Sequence, residues 1–246
     1  MSASHLLRIV HRTHYRYAQP VTFQTHRLVV RPREGHDLRV EILDLSITPR
    51  ADVVWTRDIF GNSIAHAHFN EQGTELTFEV DVVVRRFFDP ASPPHPAHCL
   101  SPYPLEYDTL EHGIVTGYLT PVFPEESAAM HEWIGTLPNP GDFPSAEAFV
   151  LRLAELIHER IGYQRREQKG VQTPDTTLSL GSGSCRDVAT LMMETLRHLG
   201  IAARFASGYL DCPATRAAAG STHAWTEAYF PQLGWRGFDP TTGKAC

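Results

Sequence analysis

The sequence lacks the features of a membrane or secreted protein. No stretch of its 246 residues is apolar for long enough to span a membrane, and residues 1–10 lack the apolar core of a signal peptide. Its four cysteines share no close spacing; they are Cys99, Cys185, Cys212 and Cys246. We therefore expect a cytoplasmic protein with free thiols and no membrane partner, a disulfide being the less favoured alternative.

The chain also has fewer basic than acidic residues. There are 22 Lys and Arg against 28 Asp and Glu, which gives a formal net charge of −6 with histidine neutral. Because general nucleic-acid binding needs a basic face, we expect no nucleic-acid partner. The apolar fraction of 42% is ordinary for a globular protein that builds its own core, and we find no internal repeat.

The first part of the chain is patterned as short strands. Apolar and polar residues alternate in segments that are separated by turn residues at 58–62 and 70–73. The predicted strands cover 7–11, 27–31, 40–47, 63–69 and 75–84. This spacing predicts an N-terminal antiparallel β-sandwich over residues 1–88.

Prolines interrupt this pattern at the end of the predicted sandwich. Four of them lie between Asp89 and Pro96, where each removes a backbone donor and restricts the residue before it. We therefore predict a Pro-rich crossover linker over 89–124.

Helices precede strands in the remainder of the chain. The predicted helices cover 125–134, the residues between Ser145 and Gly162, and the residues from Cys185 to Gly200. The predicted strands cover 201–210, 223–230 and 235–239. A helix followed by consecutive antiparallel strands predicts an α+β domain over 125–246.

Cys185 stands where a helix is predicted to begin. Ser184 is a suitable N-cap, and Asp187 could complete a capping box with it. The positive end of a helix dipole stabilises a thiolate, which is the nucleophilic form of cysteine. Gly183 would let a substrate backbone approach closely, and the Cys185 N–H could donate to an oxyanion.

His223 and Asp239 complete the set of groups that thiol catalysis needs. His223 starts a predicted strand, from which Trp225 points to the same face. Asp239 ends the next predicted strand, so hairpin pairing could place its carboxylate behind the imidazole. Cys185, His223 and Asp239 are thus predicted to be nucleophile, general acid–base and orienting carboxylate.

The motifs that carry these residues resemble the transglutaminase-like superfamily of papain-type thiol enzymes. The matching segments are GSCRD at 183–187, the helix through residue 204, SGY at 207–209, THAWTE at 222–227 and GWRGFDPT at 234–241. HRTHYRY at 11–17, RPR at 31–33 and DIFGN at 58–62 resemble the β-rich region that precedes this core in bacterial members. The resemblance implies a papain-like α+β core, here expected to be truncated at its C-terminus.

The resemblance also bears on the site and the reaction. It implies that Cys185, His223 and Asp239 form the catalytic triad and that Tyr163 lies near the site. We expect Gly183, Ser184 and Trp225 to contribute to substrate or oxyanion binding. The expected activity is hydrolysis of an amide or peptide bond through a thioester, favoured over transfer to an amine, with a protein or peptide substrate.

Two other functions stay open on the sequence alone. One is a catalytically silent protein- or peptide-binding module on the same fold. The other is a metalloprotein, since ligand-like spacing occurs in the histidine pairs 11/14 and 66/68 and in the segment from His95 to Cys99. We find no EF-hand loop or dense acidic cluster, and we expect neither a metal nor a cofactor.

Overall fold

A computed structural model describes residues 4–87, 101–210 and 222–246. The chain forms two compact units, the first extending to residue 93 and the second starting at residue 94. Among the described helices, none has the length and apolar character needed to cross a membrane.

The first unit is built from antiparallel strands. They are β1 (His5–Thr22), β2 (His26–Leu28), β3 (Leu38–Thr48), β4 (Asp52–Arg57), β5 (Ser63–His68) and β6 (Gln72–Arg86). One three-stranded sheet has the order β1-β6-β3 and the other the order β2-β5-β4. The predicted antiparallel β architecture of this region is therefore confirmed.

Strand β6 shows why this region folds as sheets. Its alternate residues Phe78, Val80, Val82 and Val84 are buried, whereas the residues between them lie on the other face. On that other face, the exposed Arg8 of β1 pairs with Asp81. The period of two in the sequence thus corresponds to one apolar and one polar face.

The sequence did not predict strand β4. All six residues of β4 are exposed, including Val53, Val54 and Trp55. The strand lies at the edge of its sheet and pairs only with β5 among the described strands. An edge strand without a buried face has no alternation of apolar and polar residues, which is the signal on which the prediction relied.

In its described residues, the second unit combines five α-helices with short strands. The helices are α1 (His112–Leu119), α2 (Ser127–Gly135), α3 (Ala146–Arg160), α4 (Pro174–Leu180) and α5 (Cys185–His198). The strands are β7 (Gly162–Tyr163), β8 (Ser182–Gly183), β9 (Ala203–Gly208), β10 (His223–Phe230), β11 (Gly234–Asp239) and β12 (Lys244–Ala245). Strands β9 to β12 form an antiparallel sheet of order β12-β11-β10-β9, so the predicted α+β core is confirmed.

Helix α5 packs on one face of this sheet. Ala224, Ala228 and Phe230 of β10 are buried in the core together with the apolar face of α5. Between them, the Thr226 hydroxyl donates to the Ala189 carbonyl of α5 at 2.8 Å. The odd-numbered residues of β10, which begin with His223, therefore lie on the opposite face of the sheet.

Helix α1 lies inside the segment that the sequence assigns to a linker. The first part of that segment, 89–100, is outside the described residues, but His112–Leu119 is helical. Val115 is the buried residue of α1, so the helix lacks a long apolar face that would reveal it in the sequence. Tertiary contacts hold the chain just after α1, because Glu194 accepts from the Val122 and Phe123 N–H groups.

Candidate active site

The start of α5 is fixed by the residues around Cys185. Asp187 accepts from the Ser184 N–H at 2.8 Å and from the Ser184 hydroxyl at 2.7 Å, so it reaches back as the capping box predicts. A Cβ added to Gly183 would lie 2.8 Å from the Asp187 Cβ. Only glycine at 183 lets the end of β8 lie this close to Asp187 in the first turn of α5. This close approach places Cys185 at the start of the helix.

Asp187 also holds the loop that precedes α4. Its carboxylate accepts from Arg166 Nε at 2.8 Å and from the Gln172 N–H at 2.7 Å. Burial alone would raise the pKa of Asp187, but these donors and Ser184 hold it below its ordinary value. The sequence did not predict the partners Arg166 and Gln172, since no short-range pattern links them to Asp187.

The structure brings His223 and Asp239 into direct contact. The two residues lie on the adjacent strands β10 and β11, which pair with Thr226 opposite Phe238. His223 Nε2 lies 2.9 Å from Asp239 Oδ2, and the two side chains are 14% and 6% exposed. Because an ionised carboxylate only accepts, the proton of this bond belongs to Nε2, which leaves Nδ1 for another partner.

Asp239 is held in place by the turn that follows it. Its Oδ1 accepts from the Thr241 N–H at 2.9 Å, and its Oδ2 accepts from the Thr242 hydroxyl at 3.0 Å. Burial alone would raise the pKa of Asp239, but the hydrogen bond and positive charge of His223 hold it below its ordinary value. The Asp-Pro-Thr-Thr run carried a signal for this arrangement, because Asp side chains often bond the backbone two residues on.

Cys185 is the other partner of His223. The thiol is partly exposed, and hydrogen bonding with the imidazole is among the causes that shift the pKa values of both groups. Burial alone would raise the pKa of Cys185, but this bond, the charge of His223 and the Ala224 N–H lower it below its ordinary value. The structure therefore brings together all three residues that the sequence predicted as a triad.

Among Cys185, His223 and Asp239, the imidazole has the large pKa shift. The Asp239 hydrogen bond, followed by that of Cys185, raises the pKa of His223 to about 9. A raised pKa for histidine and a lowered one for the neighbouring cysteine favour the thiolate–imidazolium pair near neutral pH.

Trp225 stacks beside the imidazole. Its ring centroid is 6.5 Å from that of His223, with an interplanar angle of 27°. A Cβ on Gly208 would lie 2.9 Å from the Trp225 ring, and one on Gly237 would lie 3.3 Å from its Nε1. The indole therefore lies against Gly208 of β9 and Gly237 of β11, where a side chain would crowd the ring. The sequence did not predict this role for the two glycines.

Tyr163 lies in β7, beside the segment that leads to Cys185. It pairs with Gly183 in the parallel ladder of β7 and β8, and it is 62% exposed. Its location beside the segment that leads to Cys185 agrees with the expected neighbourhood, and the structure gives its side chain no bond to the triad.

Histidines of the pairs 11/14 and 66/68 form hydrogen bonds with threonine hydroxyls. His66 lies 3.0 Å from the Thr56 hydroxyl and His68 lies 3.0 Å from that of Thr25. His14 lies 2.8 Å from the Thr77 hydroxyl. Within the part of the chain that the structure describes, no three His, Cys, Asp or Glu side chains are arranged so that they could hold a metal ion. The segment from His95 to Cys99 lies outside the described residues.

Two family models match the chain in separate regions. Residues 7–85 match the bacterial transglutaminase-like N-terminal region, and residues 141–240 match the transglutaminase-like superfamily. The second match contains Cys185, His223 and Asp239.

Relatives extend the similarity to almost the whole chain. Uncharacterized proteins of Mycobacterium tuberculosis and Mycobacterium bovis are 30% identical to it over 262 residues, which cover 99% of this chain and 81% of each relative. A solved structure named "Putative Cysteine Protease", from Cytophaga hutchinsonii, shares the fold with a TM-score of 0.70 at 18% identity, over 97% of this chain and 79% of that one. The chain belongs to the transglutaminase-like superfamily and carries the bacterial N-terminal region of that family.

Proposed function

We propose that this protein is a cysteine-dependent hydrolase of amide or peptide bonds in a protein or peptide substrate. The observation that carries the proposal is the juxtaposition of Cys185, His223 and Asp239: His223 Nε2 lies 2.9 Å from Asp239 Oδ2, and Cys185 lies near enough to His223 for each of the two to shift the pKa of the other. Nucleophile, base and orienting carboxylate are each in contact with the next, as thiol catalysis requires.

The first half of the proposed reaction forms a thioester. The Cys185 thiolate attacks the carbonyl carbon of the substrate, a C–S bond forms, and the carbonyl π electrons move onto oxygen. The Cys185 N–H supports this oxyanion, since a residue in the first turn of a helix has no intrahelical acceptor for its N–H. The C–N bond then breaks as the His223 imidazolium gives its proton to the leaving nitrogen.

The second half releases the acyl group. Neutral His223 takes a proton from water, the hydroxide attacks the thioester, and the C–S bond breaks to return the thiolate and a carboxylic acid. Asp239 holds the ring orientation and stabilises the imidazolium in both halves. We propose water as the acceptor because Cys185 is partly exposed and water needs no binding site of its own.

The pH dependence of this mechanism has a defined sign. Reactivity appears as Cys185 ionises below its ordinary pKa, and turnover falls as the pH rises through about 9, where His223 loses the proton that the leaving group requires. The pH profile is therefore expected to be a bell with its basic limb near that pKa.

The test of the thiol machinery is alkylation of each cysteine by iodoacetamide between pH 5 and 10, followed by peptide mass spectrometry. Cys185 is expected to react at pH 6, where the exposed Cys246 does not. In His223→Ala, the alkylation rate of Cys185 at pH 6 is expected to fall to that of Cys246. A Cys185 that reacts only in parallel with Cys246 would contradict the proposal.

A second assay separates hydrolysis from amine transfer. Casein is incubated with the protein and dansylcadaverine, with Cys185→Ser as the matched control. New peptide termini or released ammonia without dansyl incorporation is the expected result. Incorporation of the dansyl amine at the expense of hydrolysis would instead make the protein a transferase.

A further inference from the structure

Strand β7 is hydrogen-bonded along one side and open along the other. The Gly162 N–H donates to the Gly181 carbonyl at 2.8 Å, and the Gln164 N–H donates to the Gly183 carbonyl at 2.8 Å. In a strand, the backbone groups of the residue between point the opposite way. The N–H and C=O of Tyr163 therefore face away from β8, and neither has a partner among the described residues.

This open edge adjoins the nucleophile. The ladder is parallel and places Tyr163 opposite Gly183, which precedes Cys185 by two residues. Tyr163 is 62% exposed, so a second chain can reach its backbone. An unpaired strand edge is the element to which extended peptides add in β-augmentation.

A pocket of about 100 Å³ opens beside the same edge. Tyr163 and Ile161 line it from the β7 side, and Val188 lines it from α5, one helical turn beyond Cys185. Pro240, which follows Asp239, forms another wall. The pocket therefore lies next to residues that adjoin both the nucleophile and the carboxylate. Ile161, Val188 and Pro240 give it apolar walls, whereas His158 and Thr241 give it polar ones.

We propose that β7 is the docking edge for the acyl-donor segment of the substrate. An extended peptide accepts a hydrogen bond from the Tyr163 N–H and donates one to the Tyr163 carbonyl, while a short apolar side chain enters the pocket. This inference rests on the proposed function and specifies its substrate: an extended peptide with a small apolar side chain near the bond that is attacked.

The test uses the whole chain and the reagent acetyl-Ala-Ala-chloromethyl ketone, which combines a peptide backbone with a group that alkylates cysteine. Tyr163→Pro removes the outward N–H and the ring, and Tyr163→Ala is the matched control that removes the ring alone. The Tyr163 N–H makes no bond to β8, so proline deletes no hydrogen bond of the fold. We expect the rate constant of Cys185 alkylation to be about tenfold lower in Tyr163→Pro than in Tyr163→Ala. This factor corresponds to the loss of one hydrogen bond between the reagent and the Tyr163 N–H.

Iodoacetamide, which has no peptide backbone, is the internal control. Its rate with Cys185 is expected to be equal in the two variants, which also shows that the site remains folded. Equal rates with the peptidyl reagent overturn the docking edge while leaving the proposed function intact. A wild-type Cys185 that is inert to iodoacetamide at pH 6 overturns both.

A second measurement uses only the wild type and so does not depend on a variant that folds. Methylating the reagent amide that donates to the Tyr163 carbonyl is expected to slow alkylation about tenfold. Unchanged rates for reagents methylated at either amide overturn the pairing. Reagents with Gly, Ala or Val next to the reactive group are expected to react with increasing rate, and equal rates exclude the pocket as the side-chain site.

Discussion

At the scale of single residues, Asp239 determines the charge state of the site. Its carboxylate is nearly buried and is held by His223, the Thr241 N–H and the Thr242 hydroxyl. Both of its oxygens are therefore fixed before any substrate binds. Its hydrogen bond is the largest cause of the raised pKa of His223, and the charge on His223 in turn helps to lower the pKa of Cys185.

Asp239→Asn is expected to reduce the pKa shifts of both His223 and Cys185. Without the carboxylate, the pKa of His223 falls from about 9 and the pKa of Cys185 rises towards that of an ordinary thiol. The rate of Cys185 alkylation by iodoacetamide at pH 6 should drop at least tenfold, about 1.4 kcal/mol. Glu227→Gln removes the same charge from the same sheet face without touching His223 and should leave the pH profile in place. An unchanged profile in Asp239→Asn would contradict the role of the carboxylate.

The place of Trp225 depends on the absence of a side chain at position 208. Gly208→Ala puts a Cβ 2.9 Å from the Trp225 ring, so the indole beside His223 must move. We expect a loss of about 1–3 kcal/mol in the free energy of unfolding and slower alkylation of Cys185. Gly117→Ala, inside α1, meets nothing within 4 Å and should be neutral or stabilising. Urea unfolding curves of both variants test this, and equal stability would show that Trp225 is not confined.

At the scale of secondary-structure elements, Asp187 ties the start of α5 to the loop before α4. It is fully buried, and the pairing Arg166 side chain is 15% exposed. Asp187→Asn keeps the shape of the side chain but leaves Arg166 without its charge partner. We therefore expect the free energy of unfolding to fall by about 3 kcal/mol. The exposed Arg152–Glu159 pair gives a matched control, since Glu159→Gln should change stability little.

The effect of Asp187 is also expected to depend on pH. Because its pKa is lowered in the folded state, its contribution is present above the ordinary aspartate pKa of about 3.9 and is lost as the pH falls through the lowered value. Urea unfolding of wild type and Asp187→Asn should therefore differ at pH 7 and converge in acid. A constant difference across that range would mean that the side chain acts by packing alone.

The sequence predicted those elements that bury a regular face. The long helix from Cys185 and strand β10 have clear periods, so the positions of Cys185 at a helix start and of His223 at a strand start were predicted. Helix α1 and strand β4 were missed because few of their residues are buried. The partners of Asp187 were missed because Arg166 and Gln172 come from a loop, whose path depends on tertiary contacts. Periodicity carries no information about such paths.

At the scale of the whole molecule, the two units have separate cores. One core cluster of the first unit contains Leu76 and Phe78, and the large core of the second contains Leu153 and Leu196. No described residue belongs to clusters of both units. Since Cys185, His223 and Asp239 all belong to the second unit, its stability should determine the reactivity of Cys185.

Matched cavity variants test this division. Leu76→Ala and Leu153→Ala each remove a fully buried leucine side chain, and each should cost about 2–5 kcal/mol in its own unit. Hydrogen exchange read by mass spectrometry should show faster exchange in residues 4–87 for Leu76→Ala and in residues 101–210 and 222–246 for Leu153→Ala. Cys185 alkylation at pH 6 should persist in the first variant and weaken on warming in the second. Faster exchange throughout the chain in both variants would instead show that the units unfold as one cooperative structure, in which the β-rich unit supports the site.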